Sequence, residues 1–366
     1  MFWGLSFGGI ETMLVNIANA QQRAGADVSI IIINDMCEPT LLQSFDCNIK
    51  IIRLDRKRRS KNPMFIYRLN MELKRINPDV IHLHGSYLFP LILNRNLKRI
   101  TCSTLHALPT GTIRRKGILP KIFPFLNSFS TSNVTYIDKV PQVFAISQVV
   151  KDELWKKYGV NSVVINNGIM TSQFLPRVPK KPDQPLRIVQ VGRLEYNKKG
   201  QDLLIESVAR LKGKVQVDFI GAGSSMEYLQ QLTHTLGMET YVRFLGSQTQ
   251  AYVAQHLKDY DIFVQPSRYE GFGLTVAEAM AAQIPVLVSA GQGPAEVTCG
   301  ERYGWTFENG NVDKLCEKIT YLSTHYEDAI EKARLARQYV IDMYDVSTTA
   351  RHYLEEYENF LKSTKH

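Results

Sequence analysis

The sequence predicts an α/β protein made of two doubly wound domains, each with a parallel sheet between layers of helices. Its 366 residues exceed the size at which a single hydrophobic core usually stops growing, so two domains are expected. Short β-branched runs alternate with helical patterns in both halves, which is typical of parallel α/β folding. Ligands in such sheets bind at the carboxyl ends of the strands. We therefore expect the two domains to face each other across a ligand cleft.

The first domain is predicted over residues 1–170. Its patterns predict helices over 10–23 and 151–158, and strands over 28–33, 80–83, 101–105, 142–146 and 163–165. A doubly wound domain usually opens with a strand that leads into its first glycine loop, yet little chain precedes Gly8 and Gly9. We interpret Phe2 and Trp3 as the stump of that strand, as if the chain began several residues late. The central sheet of this domain is then expected to lack part of its length.

The second domain is predicted over residues 171–345. It begins with a polar stretch that indicates a linker, since it contains Pro176, Pro179, Pro182 and Pro185. The patterns that follow predict strands over 188–191, 215–220, 262–265 and 286–289, and helices over 201–211, 226–236 and 274–282. The final segment, 346–366, predicts a long terminal helix over 348–361. We expect this helix to pack back toward the first domain.

The cysteine content and hydropathy indicate an intracellular protein. The five cysteines are odd in number and scattered, and the sequence contains no C-x-x-C pair, so neither a disulfide framework nor a zinc cluster is predicted. The sequence shows no apolar run of the ~18 residues that would span a bilayer, and no signal peptide. These observations predict a cytoplasmic location.

The positive charge is concentrated in the first half. Residues 1–170 hold 22 Lys and Arg against 11 Asp and Glu, whereas the remainder holds 22 against 24. Two basic clusters account for much of the excess, and they comprise Arg53, Arg56, Lys57, Arg58, Arg59 and Lys61, and Arg114, Arg115, Lys116 and Lys121. The second cluster precedes the apolar residues Ile122, Phe123, Phe125 and Leu126. The clusters fit either an anionic membrane surface or solvated loops, and no nucleic-acid motif accompanies them.

The stretch from 265 to 279 carries the strongest chemical signal. Glu270 and Glu278 are separated by seven residues, and the first is followed by Gly271, Phe272, Gly273 and Leu274 at the start of a predicted helix. The glycines allow the backbone to approach a ligand closely, and free amides at a helix N-terminus favour phosphate. Glu278, about one turn into the helix, can accept hydrogen bonds from the hydroxyls of a ribose. A glutamate pair alone is more often a pair of surface residues, but the preceding strand and the glycines make this pattern specific.

Further candidate residues lie in three other loops. Arg193 and Lys199 follow a predicted strand and could neutralise a diphosphate leaving group, although solvated cations on a loop are the alternative. Gly8 and Gly9 precede a helix and could bring backbone amides against a phosphate held by the opposite domain. His106 follows a strand and is the preferred histidine of the cleft. His82 and His84 lie on another strand, and none of the three forms a plausible metal site with nearby carboxylates.

In combination, these motifs resemble the retaining GT-B glycosyltransferases of family 4, also called group 1. The resemblance covers nearly the whole chain, through Gly8 to Glu11, Asn166 to Gly168, Arg193 with Lys199, and Glu270 to Glu278. It implies two Rossmann-like domains and a nucleotide sugar held mainly by the second one. By similarity, Arg193 and Lys199 bind the diphosphate, Glu270 lies near the donor sugar and Glu278 holds the ribose. Lys198 leaves an ambiguity of alignment, and Lys199 is preferred because it directly precedes Gly200.

The resemblance also implies an activity. His106 is similar to the family's histidine near the donor sugar and acceptor, and transfer in this family needs no metal or other cofactor. The expected reaction moves a hexose or N-acetylhexosamine, with UDP as the expected nucleotide, to a glycan or lipid-linked acceptor in bacterial surface polysaccharide synthesis. A peripheral position at the inner membrane face would fit the basic first half. The alternatives are a nucleotide-sugar epimerase or hydrolase on the same scaffold, and a non-catalytic protein that binds nucleotide sugars.

Overall fold

The computed structural model describes residues 1–5, 8–113, 132–180 and 182–364. The second basic cluster, with the apolar residues that follow it, lies outside this described part. The chain divides into two compact bodies. Unit 1 comprises Met1–Gly168 and Val346–His366, and unit 2 comprises Ile169–Asp345.

The described residues of unit 1 form six parallel strands. They are β1 (Ser29–Asn34), β2 (Lys50–Arg56), β3 (Ile81–Leu83), β4 (Thr101–Leu105), β5 (Gln142–Ala145) and β6 (Val163–Val164). The helices between them are α1 (Gly9–Arg23), α2 (Pro39–Gln43), α3 (Met64–Ile76), α4 (Arg95–Arg99) and α5 (Gln148–Tyr158), with short 3-10 turns at Ser86–Leu91 and Ile137–Lys139. Strand β1 pairs with β2, and β3 to β6 form a second ladder in chain order. Five consecutive residues of β1 are buried because helices cover both faces of a parallel sheet.

The start of the chain lies between these two ladders. The Phe2 amide donates to the Ile31 carbonyl at 2.9 Å, and the Ile33 amide donates to the Phe2 carbonyl at 3.1 Å. On the other side, the His84 amide donates to the Met1 carbonyl at 3.2 Å. Phe2 therefore lies between β1 and β3, in the position of a central strand of this sheet. It pairs with β1 through an isolated bridge to Ile32, and the reading of this segment as the stump of a longer strand stays a prediction.

Unit 2 contains a six-stranded parallel sheet with the order β12-β11-β10-β7-β8-β9. Its strands are β7 (Leu186–Val191), β8 (Val215–Ile220), β9 (Val242–Phe244), β10 (Ile262–Gln265), β11 (Val286–Ser289) and β12 (Trp305–Phe307). Counted within the unit, this order is the 3-2-1-4-5-6 arrangement of the Rossmann fold. The chain reverses direction across the sheet between β7 and β10. Ligands bind at such a switch point, beyond the carboxyl ends of the two strands.

The helices of unit 2 cover both faces of this sheet. They are α6 (Tyr196–Lys199), α7 (Gln201–Arg210), α8 (Met226–Thr235), α9 (Gln250–His256), α10 (Leu274–Ala281), α11 (Gly293–Val297), α12 (Val312–Thr324) and α13 (Tyr326–Tyr344), with 3-10 turns at Thr171–Gln173 and Leu257–Asp259. The core between the sheet and α7, α8 and α12 is apolar, with Val217, Phe219, Ile262 and Leu204 fully buried. This packing fixes the strand ends from which the site loops emerge.

The last helix, α14 (Val346–Thr364), belongs to unit 1 and packs against α1. Its Tyr353 is buried and pairs with the Thr104 hydroxyl at 3.0 Å. The two ring nitrogens of His82 contact the Tyr357 and Thr104 hydroxyls at 2.6 and 2.7 Å. His82 is therefore a structural residue that joins α14 to β3 and β4. Within the described residues, no helix combines the length and apolar composition needed to cross a bilayer.

Candidate functional site

Two loops of unit 2 meet at the switch point of its sheet. The first follows β7 and runs from Gly192 to Gly200, and the second follows β10 and runs from Pro266 to Gly273. Because β7 and β10 are adjacent parallel strands, both loops leave the same edge of the sheet. The sequence motifs with Arg193 and Lys199, and with Glu270, are thereby placed on opposite sides of one crevice.

Lys199 and Glu270 form an ion pair across this crevice. The Lys199 Nζ donates to Glu270 Oε2, and each side chain is 18% exposed. The Gln265 amide also lies within 3.4 Å of Glu270 Oε2. Lys198 instead contacts Glu195 Oε2 at 3.1 Å and is 61% exposed. The structure thus directs Lys199, and not Lys198, toward Glu270.

Backbone and side-chain bonds hold the two loops together. The amides of Arg268 and Tyr269 both donate to the Lys198 carbonyl, at 2.8 and 3.2 Å. The Arg268 guanidinium binds both oxygens of Asp202 at 2.8 Å, which is the bidentate geometry that favours arginine over lysine. These bonds set the position of Lys199 relative to Glu270. Sequence reasoning did not select Arg268 or Asp202, although Arg268 lies inside the glutamate motif.

Gly200 lets the two loops approach each other. It adopts φ +68°, and a Cβ atom there would lie 2.0 Å from the Pro266 carbonyl oxygen. An L-residue would meet both a strained backbone and a clash with a rigid main-chain atom. Glycine at this position is therefore required by the contact between the loops as well as by the turn.

The glycine segment after Glu270 leads into α10. Gly273 caps the helix with φ +104°, and the backbone beside Gly271 leaves no room for a Cβ at Gly293. Leu274 begins the helix and is half-buried. The Phe272 side chain is buried and packs edge-on against Tyr344, with ring centroids 5.5 Å apart. Any contact between Phe272 and a ligand must therefore involve its backbone.

Glu278 lies on α10, 8% exposed, and its Oε1 accepts a hydrogen bond from the Gln250 amide at 3.2 Å. Burial raises the pKa of Glu278 to about 7, and the bond from Gln250 opposes this effect only in part. The carboxyl group therefore changes its charge near neutral pH. Gln250 was missed by sequence reasoning because it belongs to α9, whose register against α10 is set by tertiary packing.

Arg193 extends outward from the first loop. Its side chain is 74% exposed, and Nη1 lies 3.3 Å from Glu195 Oε1. Burial tends to raise the pKa of Glu195, but the hydrogen bond from Lys198 and the charges of Arg193 and Lys199 hold it below its ordinary value. Arg193 is thus held near the crevice by an exposed ion pair, a type that contributes little to stability.

His106 lines a different pocket, in unit 1, whereas Gly8 and Gly9 are not among the residues that line it. The pocket has a volume of about 310 Å³ and opens at the carboxyl ends of the strands, beside Gly4, Asn34, Arg56, His84 and His106. His106 Nε2 lies 3.1 Å from His84 Nδ1, and His106 Nδ1 has no hydrogen-bond partner among the described residues. Burial lowers the pKa of His106 to about 4, so the ring is neutral at physiological pH.

Gly8 and Gly9 lie at the N-terminus of α1. Gly8 is the N-cap residue with an extended backbone, and its carbonyl accepts bonds from the amide and the hydroxyl of Thr12. Glu11 comes so close that a Cβ at Gly8 would lie 2.5 Å from its carboxylate. The expected contact of these glycines with a phosphate stays a prediction. Among the described residues, no cluster of three or more His, Cys, Asp or Glu side chains could hold a metal ion.

Comparison with known proteins identifies the family. Residues 171–338 match the family of glycosyl transferases group 1, and residues 7–173 match glycosyltransferase family 4. The two matches together span almost the entire chain. The chain belongs to the group 1, family 4 glycosyltransferases.

The glycosyltransferase has relatives of similar length. It is 28% identical over 333 residues to the lipopolysaccharide 1,6-galactosyltransferase of Salmonella typhimurium strain LT2, a match that covers 84% of each chain. A glycosyltransferase from Rickettsia africae ESF-5 superimposes with a TM-score of 0.75 at 22% identity, over 99% of this chain and 97% of that one. The Anabaena protein HepE, solved with UDP and glucose, superimposes with a TM-score of 0.74 at 19% identity, over 97% of this chain and 98% of that one. These likenesses confirm the GT-B fold with two Rossmann-like domains.

The crowding at Gly200 can be separated from its backbone strain by a matched pair of variants. Gly237 adopts a similar φ of +65°, but a Cβ there would meet nothing within 4 Å. We expect Gly200→Ala to lower the free energy of unfolding by about 1–3 kcal/mol more than Gly237→Ala, because only the former clashes with a carbonyl. Urea unfolding of the glycosyltransferase and both variants measures the difference. Equal losses would show that the approach of the loops does not require glycine.

Glu278→Gln tests the buried carboxyl group. Its folded pKa of about 7 lies above its ordinary value of 4.5, so its contribution to stability is fully present below pH 4.5 and is lost as the pH rises through 7. We expect the variant to match the wild type near pH 4.5 and to be more stable by up to about 3 kcal/mol at pH 8.5. Urea unfolding of the variant and the wild type, repeated across this pH range, measures the difference in the free energy of unfolding. A difference that does not vary with pH would contradict the assignment.

Proposed function

We propose that this glycosyltransferase moves a sugar from a nucleoside diphosphate to a glycan or lipid-linked acceptor in the synthesis of a bacterial surface polysaccharide. The Lys199–Glu270 pair at the switch point of unit 2 carries the proposal. A diphosphate is a stronger anionic partner for Lys199 than one carboxylate, and Glu270 is then free to accept hydrogen bonds from the donor sugar. The relatives support the substrate class, since one is a lipopolysaccharide 1,6-galactosyltransferase.

In the proposed donor site, Lys199 and Arg193 neutralise the diphosphate. Backbone amides between Gly271 and Leu274, at the start of α10, contact the phosphates or the sugar, and Gly8 and Gly9 contribute amides from unit 1. Glu278 accepts hydrogen bonds from the ribose hydroxyls. The ionised carboxylate is the better acceptor, so donor binding should strengthen as the pH rises through 7.

The proposed reaction retains the anomeric configuration. The bond from the sugar's anomeric carbon to the diphosphate oxygen breaks, and its electron pair remains on the diphosphate, where Lys199 and Arg193 stabilise the charge. The acceptor hydroxyl attacks from the same face and forms the new glycosidic bond. Its proton passes to the leaving phosphate oxygen, so the step needs neither a metal nor another cofactor. His106 is neutral and binds the sugar or acceptor by hydrogen bonding.

A UDP-hexose or a UDP-N-acetylhexosamine is the proposed donor. The relatives' names and structures include a galactosyltransferase and a complex with UDP and glucose, which favour this class. Turnover that depends on an acceptor separates transfer from hydrolysis or epimerisation of the donor. The location proposed for the enzyme is the cytoplasm, at the inner face of the cell membrane.

Exposed residues of unit 1 support the membrane contact. Met64, Tyr67 and Met71 are more than half exposed and lie at i, i+3 and i+7 of α3, so they share one face. The loop before α3 adds Lys57, Arg58, Arg59 and Lys61, all exposed. The basic loop can contact anionic lipid headgroups, and the exposed apolar stripe beside it can enter the outer part of the bilayer.

Lys199→Ala tests the donor site, and Lys198→Ala is its matched control on the same turn. We expect the first variant to lose about 100- to 1,000-fold in kcat/KM because the charge opposite the leaving group is gone. The control should retain activity, since the Lys198 side chain is exposed and pairs with Glu195, and the substitution leaves its backbone carbonyl in place. Release of UDP from a panel of UDP-sugars, with and without glycan acceptors, gives the readout. Full activity in a folded Lys199→Ala protein would defeat the assignment.

The membrane contact is tested with vesicles. Sedimentation with phosphatidylglycerol vesicles at low salt should pull down the wild type, whereas phosphatidylcholine vesicles should not. Lys57→Gln combined with Lys61→Gln should weaken binding about 10- to 30-fold, at about 1 kcal/mol for each charge. Lys212→Gln with Lys214→Gln removes two exposed charges from unit 2 and should change little. Equal effects of the two pairs of substitutions would contradict a membrane contact through the surface on α3.

A further inference from the structure

Arg56 is a buried cation at the end of β2. Its side chain is 8% exposed, on the strand face opposite the exposed residues Arg53 and Asp55. The guanidinium lies between two aromatic rings, 5.1 Å from the Trp3 centroid and 5.2 Å from the Phe65 centroid. Contacts of this kind with aromatic faces hold the planar group in one orientation.

Among the described residues, no ion pair neutralises the charge of Arg56. Its Nη2 donates to the Ser60 carbonyl, whereas its Nε is buried and has no acceptor in that part of the chain. Within the described residues, no carboxylate oxygen lies within 4.0 Å of the guanidinium. Burial lowers the pKa of Arg56 from its ordinary value, and Asp35 offsets this only from a distance. A buried and unpaired cation is costly, so its presence calls for an anionic partner.

The guanidinium lines the 310 Å³ pocket that also contains His84 and His106. This pocket is at the small end of the range for small-molecule sites and lies where a parallel sheet binds its ligands. Its charged lining residues are Arg56, Arg58 and Glu11. The two arginines outnumber the single carboxylate, and Glu11 lies beside Gly8 at the start of α1.

We infer that Arg56, assisted by Arg58, binds an oxyanion carried by the acceptor, a phosphate or carboxylate group attached to its sugar. Arginine suits both anions because its planar donors match pairs of oxygen atoms. His84 and His106 then face the uncharged part of the same sugar. The inference rests on the proposed function, in which unit 1 receives the acceptor, and it narrows the acceptor to an anionic glycan.

The test measures binding without a donor, so it does not depend on turnover. Glucose 6-phosphate, glucuronate and glucose are titrated into the full chain, and dissociation constants are obtained by ligand-detected NMR. The variants are Arg56→Met, Arg58→Gln and the control Arg53→Met, whose side chain lies on the opposite face of β2 and pairs with Asp55. Circular dichroism and thermal unfolding establish that each variant is folded.

We expect at least one of the two anionic sugars to bind about tenfold or more tightly than glucose. Arg56→Met should remove that preference, Arg58→Gln should reduce it, and Arg53→Met should retain it. If Arg56→Met does not fold, Arg58→Gln decides, because its side chain is exposed. Stronger binding of the phosphate than of the carboxylate, or the reverse, distinguishes the two acceptor classes.

Three outcomes would overturn the inference. They are equal binding of glucose and the anionic sugars, an anion preference that survives in folded Arg56→Met or is undiminished in folded Arg58→Gln, and binding of phosphate only when it is presented on phosphatidylglycerol vesicles. Titration of UDP into the Arg56→Met variant shows whether a failure of this inference also affects the proposed donor site. Intact UDP binding with a lost anion preference limits the defect to the acceptor pocket, whereas failure of Lys199→Ala to affect transfer concerns only the donor site.

Discussion

The ion pair between Lys199 and Glu270 is the constraint on which the candidate site in unit 2 depends. It joins two loops that are far apart in sequence but leave adjacent strands of one sheet. Each charge lies in a largely buried crevice where it needs a partner, so the pair keeps the two side chains aligned. The Arg268–Asp202 fork and the close approach at Gly200 hold the loops in the position that this pairing requires.

Much of the fold could be predicted because its strands are buried on both faces. The strands at 215–220, 262–265 and 286–289 were predicted at their observed bounds, since short segments rich in Val, Ile and Phe leave little ambiguity. Strands with weaker sequence signals were not predicted. Strand β2 was missed because its Lys50–Arg56 pattern is polar and half-exposed, and β9 and β12 have only three residues each. The order of strands in unit 2 follows from tertiary packing and could not be derived from local patterns.

The candidate site was predictable in its residue types and less so in its contacts. Glycines and charges after strands pointed to Lys199 and Glu270, yet their pairing required knowledge that β7 and β10 are neighbours. Gln250 belongs to no recognisable sequence motif. Its contact with Glu278 arises from the tertiary packing that brings α9 near α10. His84 was set aside in favour of His106, whereas the structure joins the two rings. Arg56 was counted within a surface cluster, because alternation along β2 was not recognised.

The return of the chain to unit 1 through α14 sets an order of events during synthesis. Because α14 follows unit 2 in sequence, Tyr353 and Tyr357 reach Thr104 and His82 only after unit 2 has been synthesised. All strands of unit 2 are available to form its sheet at that stage, whereas unit 1 still exposes the apolar surface that α14 covers. Completion of unit 1 therefore depends on a segment made after unit 2.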